Sequence, residues 1–236
     1  MFETIENIDI DKPESWGNKL FITSDIDWSS DDVLKYTIDL FNEYEVKVTY
    51  FATHKTKILE NLRHGSEIGL HPNFNYLLNG DTRYGKNYKE VISYYKQMYP
   101  NSVSVRSHSL TQSSFILDEF LKQGLKFDVN GLFPLNNSCL IPFKILINGI
   151  TKVPFIWEDD VHCHNKAKWD ISITDGKGIK VLNFHPIHIF LNTEKMERYS
   201  DARPYFKDYL RLKEFVNATN YGTRNFLIDL LRHYKG

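Results

Sequence analysis

The stretch L-F-I-T-S-D-I-D at residues 20–27 decides the fold, because an apolar run typical of a β-strand leads directly into two carboxylates. An apolar run followed by an acid, a base or a metal ligand recurs at residues 67–71, 103–108, 155–160 and 181–185. In α/β barrels and open α/β sheets, sites are built at the carboxyl ends of the strands. The five segments together therefore predict a metal or acid–base site at one edge of a sheet.

Amphipathic segments alternate with these apolar runs. A helix is predicted after Ser29 or Ser30, since either serine is a suitable N-cap. Further helices are predicted at residues 57–64, 88–99 and 113–123 and near the C-terminus, and a hairpin is predicted around Asn148-Gly149. This alternation is typical of an α/β fold with a mostly parallel sheet, either a barrel or an open sheet.

Composition excludes several classes of protein. The chain has 236 residues, 42% of them hydrophobic, and a net charge of −1. These values predict one domain over residues 1–236, with an irregular lead-in at 1–18 and a helical C-terminal part at 190–236. The charge offers no footprint for nucleic acid, and no segment approaches the about 20 apolar residues of a membrane span. Because the acidic N-terminus does not resemble a signal peptide, we expect a cytoplasmic protein.

Asp25 and Asp27 form the most informative pair. Residues two apart in an extended segment face the same side, and two carboxylates on one side repel unless a cation or a proton lies between them. The pair therefore favours a metal or acid–base role. The alternative is that one of the two carboxylates caps the following helix.

The order of the segments resembles the polysaccharide deacetylase family, the NodB-homology or carbohydrate esterase 4 group. The family motifs T-F-D-D-G, E-I-G-x-H-x-x-x-H, R-x-P, a D/W-containing motif and L-x-x-H correspond to T-S-D-I-D at 23–27, E-I-G-L-H at 67–71, R-S-H at 106–108, W-E-D-D at 157–160 and L-N-F-H at 182–185. The resemblance extends over residues 19–190, and its closest form is the WbmS-like branch linked to bacterial surface polysaccharides.

This resemblance implies a distorted (β/α) barrel of about seven mostly parallel strands, TIM-barrel-like and NodB-type. It also implies a metal-dependent amidohydrolase whose Asp-His-His set holds a divalent ion, with zinc as the expected metal. By position in the motifs, Asp27 and His71 would be metal ligands and Asp25 the general base. Arg106 would orient Asp25, and His185 would be the general acid.

The chain departs from the family pattern at one ligand. The second histidine of the second motif falls at position 75, where this sequence has Asn75, a poorer zinc ligand than imidazole. The third motif has His108 in place of the usual proline. We therefore hypothesise that Asp27, His71 and His108 form the metal set. The alternative is a degenerate site that binds no metal.

Further residues are expected to contact the substrate or to support the catalytic groups. Asn75 and Trp157 are candidates for the substrate, and Asp159 or Asp160 would orient His185 or Arg106. His188, three residues after His185, could join the site if the chain turns there. The sequence leaves the role of His188 and the choice between Asp159 and Asp160 open.

The predicted function is removal of an N-acyl group, acetyl or formyl, from an amino sugar during synthesis of a bacterial surface polysaccharide such as O-antigen. The substrate would be a small molecule or a lipid-linked or nucleotide-linked sugar, and the oligomeric state stays open. One alternative is a catalytically degenerate protein that binds a glycan or a partner enzyme. Another is a phosphoesterase, although Arg106 is the one obvious phosphate partner and such chemistry usually uses a denser cationic or two-metal site.

Overall fold

The structure is a computed structural model that describes residues 1–133 and 139–235. Nine strands lie in the described part of the chain: β1 (Leu20–Asp25), β2 (Val48–Ala52), β3 (Glu67–Leu70), β4 (Ser104–Val105), β5 (Phe127–Leu132), β6 (Phe143–Lys144), β7 (Thr151–Phe155), β8 (Trp157–Glu158) and β9 (Lys180–Phe184). Nine α-helices accompany them there: α1 (Asp31–Glu43), α2 (Asn75–Leu78), α3 (Tyr88–Met98), α4 (Ser114–Lys122), α5 (Asp159–His164), α6 (Pro186–Leu191), α7 (Met196–Ala202), α8 (Tyr209–Leu212) and α9 (Thr223–Lys235).

All described strands belong to one curled sheet in the order β6-β7-β5-β4-β3-β2-β1-β9-β8. The strand pairs are parallel except β6 with β7, which form the hairpin predicted around Asn148-Gly149. The segment at 151–158 links the two ends of the sheet, because β7 pairs with β5 while β8 pairs with β9. The predicted distorted α/β barrel is confirmed, with nine described strands where the sequence predicted about seven.

Strict alternation along β1 separates the two faces of the sheet. Leu20 and Ile22 pack in the cluster that α1 and α9 cover on the outside, whereas Phe21 packs in the cluster inside the curl. Thr23 and Asp25 continue the inner face towards the carboxyl end, as the period of two in a strand requires. The inner face of β1 therefore changes from apolar to polar along its length.

The N-terminal residues complete the apolar half of the interior. Ile5, Ile8 and Trp16 pack there against Phe21 and Val181, beside 3-10 helices at Ile5–Asn7 and Pro13–Ser15. The segment predicted as an irregular lead-in thus fills the amino-terminal end of the barrel. Buried apolar surface at that end leaves the carboxyl-terminal end for polar groups.

Local signals identify most helix boundaries. Ser30 caps α1 by accepting a hydrogen bond from the N–H of Val33, so the cap is a serine and neither Asp25 nor Asp27. The helix predicted at 57–64 is instead a 3-10 helix at Lys57–Asn61. A 3-10 helix has three residues per turn and forms in short pieces, which explains why this element is shorter than the predicted helix.

The C-terminal part is helical, as predicted for residues 190–236, and contains α7, α8 and α9. No helix among the described residues has the length and apolar character to cross a bilayer. The single domain over 1–236 stays a prediction, since residues 134–138 and 236 lie outside the described part.

The packing of β3 generates a stability prediction at Gly69. A Cβ atom there would lie 2.5 Å from the Ser104 hydroxyl and 2.6 Å from the Phe51 ring, both in the barrel interior. We expect Gly69→Ala to lower the free energy of unfolding by about 1–3 kcal/mol through overpacking, measured by urea denaturation. Gly176→Ala is the control, because no atom lies within 4 Å of its added Cβ, and an equal loss in both variants would contradict the packing argument.

Candidate metal and acid–base site

The carboxyl ends of four strands in one half of the sheet bring the predicted residues together. Asp25 ends β1, His71 follows β3, Arg106 follows β4 and His185 follows β9. Asp27 lies two residues beyond β1. His108 begins a 3-10 helix at His108–Leu110 just after β4. The sheet order places β4, β3, β2, β1 and β9 side by side, so these side chains meet although they are far apart in the sequence.

Asp27, His71 and His108 converge on one point. Nε2 of His71 lies 2.8 Å, and Nδ1 of His108 2.9 Å, from the same Oδ2 of Asp27. Burial raises the pKa of Asp27, but the charge of His71 and the hydrogen bonds from His108 and His71 outweigh it, so this pKa lies well below its usual range. Burial lowers the pKa of His71, but the charges of Asp25 and Asp27 outweigh this effect, so the pKa of His71 lies above its usual value.

This donor set could hold a divalent metal. One carboxylate oxygen and two imidazole nitrogens lie within 4.8 Å of one another, and zinc prefers these atoms in proteins. Among the described residues, Nδ1 of His71 has no hydrogen-bond partner and lies 3.8 Å from Oδ2 of Asp25. A neutral His71 that donates Nδ1–H towards Asp25 leaves Nε2 free as a ligand, which is the usual arrangement around metals.

Arg106 is the largest fully buried side chain of the described residues, and it holds Asp25 in place. Its Nη1 donates to Oδ1 of Asp25 at 2.9 Å and to the Thr23 hydroxyl at 3.0 Å. The side-chain amide of Asn183 accepts from the same Nη1 and donates to Oδ2 of Asp25 at 3.0 Å. Both oxygens of the 2% exposed Asp25 are therefore fixed, and its negative charge faces a positive one.

His185 pairs with Asp159, which decides between the two candidate carboxylates. Nδ1 of His185 lies 2.7 Å from Oδ1 of Asp159, and the backbone N–H of His185 donates to Oδ2 at 2.8 Å. Burial alone would lower the pKa of His185, but the charge and hydrogen bond of Asp159 raise it well above 6.5. The pKa of Asp159 is lowered despite its burial, because His185 and His188 lie beside it.

Three other sequence candidates lie elsewhere. The Asn75 amide donates to the Ser109 hydroxyl at 3.0 Å and does not join the Asp-His-His group. Trp157 was expected near the substrate, but its ring packs in the outer core against Phe184 and its N–H donates to His162. Asp160 accepts a hydrogen bond from the next residue's N–H and contacts neither His185 nor Arg106 among the described hydrogen bonds.

The strand break between β7 and β8 explains the position of Trp157. Phe155 lies in the inner cluster, so regular alternation would also turn Trp157 inward. Ile156 separates the two strands, and both Ile156 and Trp157 pack outside. Glu158 is consequently the residue that faces the site.

Glu158 and Asn183 are further site residues. They lie in the motifs at 157–160 and 182–185, but the motifs alone assigned them no role. Asn183 donates to Oε1 of Glu158 at 2.9 Å as well as to Asp25. Burial raises the pKa of Glu158 to about 7, and the negative charges of Asp160 and Asp25 add to this effect. A polar residue inside the apolar run of β9 was the available signal for Asn183.

His188 lies beside the site, on the first turns of α6. It is fully buried, its Nδ1 lies 3.0 Å from the Thr193 hydroxyl, and its ring centroid is 5.7 Å from that of His185. Burial and the nearby charge of His185 lower the pKa of His188. The ring of His188 thus packs beside the pair of His185 and Asp159 on the buried side of the site.

Trp28 was also missed, since it follows the motif 23–27 and no pattern marks it. Its ring stacks on His185 with centroids 5.4 Å apart and contacts His108 edge-on at 5.9 Å. Tyr199 of α7 supports the indole from the side at 5.7 Å.

Comparisons with known proteins identify a matching family and two similar structures. The model of the WbmS-like polysaccharide deacetylase family matches residues 22–203. A crystal structure from Bordetella bronchiseptica, described as a polysaccharide deacetylase involved in O-antigen biosynthesis, is 41% identical, covers 98% of this chain and 97% of that chain, and has a TM-score of 0.92. A second, described as a polysaccharide deacetylase from Mycobacterium smegmatis, is 13% identical over 91% of this chain and 88% of that chain, with a TM-score of 0.45. No curated protein matches the chain.

The converging donor atoms predict which histidine is needed for metal. We expect His108→Ala to lose stoichiometric zinc, because it removes one of three donors from the group. Asn75→Ala is the matched control and should keep its zinc, since the Asn75 amide binds Ser109 instead. Metal content after dialysis, read by atomic emission, separates the two variants. Full zinc content in His108→Ala would remove His108 from the ligand set.

Proposed function

The chain belongs to the WbmS-like polysaccharide deacetylase family, and on that premise we propose that it is a metal-dependent hydrolase that removes an N-acyl group, acetyl or formyl, from an amino sugar. The relative from Bordetella bronchiseptica supports a role in O-antigen biosynthesis. We further propose a lipid-linked or nucleotide-linked precursor as the substrate and zinc as the ion.

One observation carries the proposal. The Asp27-His71-His108 group lies next to two acid–base candidates, Asp25 and His185. Donor atoms of Asp25, Glu158 and His185 lie within 4.8 Å of one another, so a single small group can reach both candidates. Amide hydrolysis needs this combination, since a proton must leave the attacking water and another must reach the departing amine.

Each residue of this chain has a distinct part in the proposed reaction. A divalent ion held by Asp27, His71 and His108 would polarise the acyl oxygen and lower the pKa of bound water. Asp25, positioned by hydrogen bonds from Arg106 and Asn183, accepts the proton of the attacking water at Oδ1 or Oδ2.

His185 acts as the acid on the other side of the bond. Its raised pKa keeps the ring protonated at neutral pH, and Asp159 fixes Nδ1, so Nε2–H is the proton that is delivered to the leaving nitrogen. The leaving product is then a free amino sugar, and the acid must regain its proton before the next turnover.

The proposal predicts release of acetate or formate from acylated sugar nucleotides by the zinc-loaded protein. Asp25→Asn should keep its zinc and lower kcat by roughly 10²–10⁴-fold, because the variant lacks the base but no ligand. Acyl release is read by coupled assay and metal content by atomic emission. Full activity in Asp25→Asn would show that Asp25 is not the base.

The same assay tests the competing functions. A wild-type protein that binds acylated sugars but releases no acid, with or without zinc, would be a degenerate binding protein. Release of phosphate from phosphorylated sugars without release of acyl acid would identify a phosphoesterase.

The pair of His185 and Asp159 predicts a pH dependence. Because the folded-state pKa of His185 is raised, its contribution to stability is fully present below its unfolded pKa of about 6.5 and is lost as pH rises through the folded value. Asp159→Asn should therefore lower stability most at about pH 6 and progressively less in alkaline solution.

Two measurements check this prediction. Urea unfolding of Asp159→Asn gives the stability difference at each pH, and the alkaline limb of the kcat profile should move to lower pH in the same variant. Asp160→Asn is the matched control, since its carboxylate bonds the adjacent backbone N–H and acts on His185 only through its charge, and it should change both readouts clearly less than Asp159→Asn. An alkaline limb that stays in place would contradict the assignment of His185 as the acid.

A further inference from the structure

Trp28 has a backbone conformation that its side chain does not favour. Its φ is 57°, in the left-handed region, where a bulky side chain costs about 1–3 kcal/mol and glycine costs almost nothing. The residue joins Asp27 to the cap of α1, so the turn itself requires the unusual φ. A glycine would meet the turn without strain, and the large ring that stands there instead leaves 39% of Trp28 exposed.

The ring spans the two halves of the proposed reaction. It lies flat against His185, with 30° between the ring planes, and meets the edge of His108. The ring of Tyr199 packs against the indole in a T-shaped contact and is itself stacked on His188, with centroids 5.0 Å apart. Packed aromatic rings therefore hold the indole in place. The indole therefore bridges the ligand candidate His108 and the acid candidate His185.

The groups beneath the indole expose little surface. Asp25, His71 and His185 are 2–3% exposed, whereas Trp28 presents an open apolar surface at the same place. A reacting amide has to approach both His185 and the Asp27-His71-His108 group, and the ring of the sugar that carries this amide is directly attached to it. That sugar ring must then come into contact with the exposed indole.

We propose that Trp28 is the platform on which the amino-sugar ring of the substrate stacks; this rests on the proposed deacylase function. The C–H face of a pyranose is apolar and flat enough to cover an indole, and such contacts bury area from both partners. The platform would fix the sugar so that its N-acyl group points between His108 and His185. Specificity for a pyranosyl amide over an acyclic amide would come from this contact.

Binding without turnover provides the first test, so the wild type and the Trp variants compared in this titration all carry Asp25→Asn, which removes the proposed base and keeps the zinc ligands. The zinc-loaded proteins are titrated with N-acetylglucosamine, N-acetylgalactosamine and their UDP-linked forms, and tryptophan fluorescence and calorimetry are recorded. A sugar that binds should quench the fluorescence of the wild type and of the control Trp169→Phe, whose ring lies in the outer core. The quench should vanish in Trp28→Phe, which keeps an aromatic ring and should bind within about twofold of the wild type.

Trp28→Gly tests the contact itself, because glycine keeps the left-handed turn and deletes the ring. We expect roughly threefold to tenfold weaker binding and a KM raised by the same factor, with kcat changed far less, as for loss of an aromatic contact. Thermal unfolding of Trp28→Gly should show little change in stability, because relief of the strained left-handed backbone offsets the lost contacts of the ring. A weaker sugar affinity in a protein of unchanged stability separates the contact from a structural role.

The outcomes distinguish this proposal from the proposed function. Acyl release with unchanged KM in Trp28→Gly would overturn the platform and leave the deacylase intact. Sugar binding that depends on Trp28, without acyl release, would support the platform and overturn the deacylase. If no sugar of the panel binds the wild type, or if the quench persists in Trp28→Phe, the platform is wrong.

Discussion

The burial of Arg106 is the constraint on which the rest of the barrel depends. Its guanidinium is fully enclosed, and a charge out of water is tolerated only when it is paired and hydrogen-bonded. Asp25 of β1 supplies the opposite charge, and Asn183 of β9 and a backbone carbonyl of β5 accept further hydrogen bonds from Nη1 and Nε. Among the described residues, Nη2 has no hydrogen-bond partner. The guanidinium carbon also lies 4.6 and 4.3 Å from the ring centroids of Phe51 in β2 and Phe155 in β7. From its position just after β4, this one side chain thus contacts five of the nine described strands.

This central cation also divides the interior into layers. Below it, Phe21, Val129 and Val181 form an apolar cluster that the N-terminal residues close. Above it, the inner face carries Asp25, Asn183 and His185. These three polar side chains can be buried because each meets a partner of opposite charge or a hydrogen-bonding group, and Trp28 with Tyr199 covers His185. Stability and the proposed chemistry therefore draw on the same contacts.

Much of this could be predicted from residue order. Because strand alternation has a period of two, the run 20–27 already indicated that Asp25 and Asp27 share a face, and the five apolar runs indicated which edge carries the polar groups. The family resemblance over 19–190 added the barrel and assigned expected roles. Trp157 was a substrate candidate because it stands in the motif at 157–160, but it packs outside, since the chain leaves one end of the sheet for the other at Ile156. A break of that kind leaves no mark on the local pattern.

The sequence by itself determined the strands, the inward face of β1 and the residues available at the carboxyl edge, since these follow from local periodicity and strand–helix alternation. Only the tertiary structure decided which of them meet. It brought His108 to Asp27 across 81 residues, left Asn75 with Ser109, chose Asp159 as the partner of His185 and laid Trp28 over that ring. These distances depend on how far the sheet curls and on side-chain packing between distant segments, which no local pattern encodes.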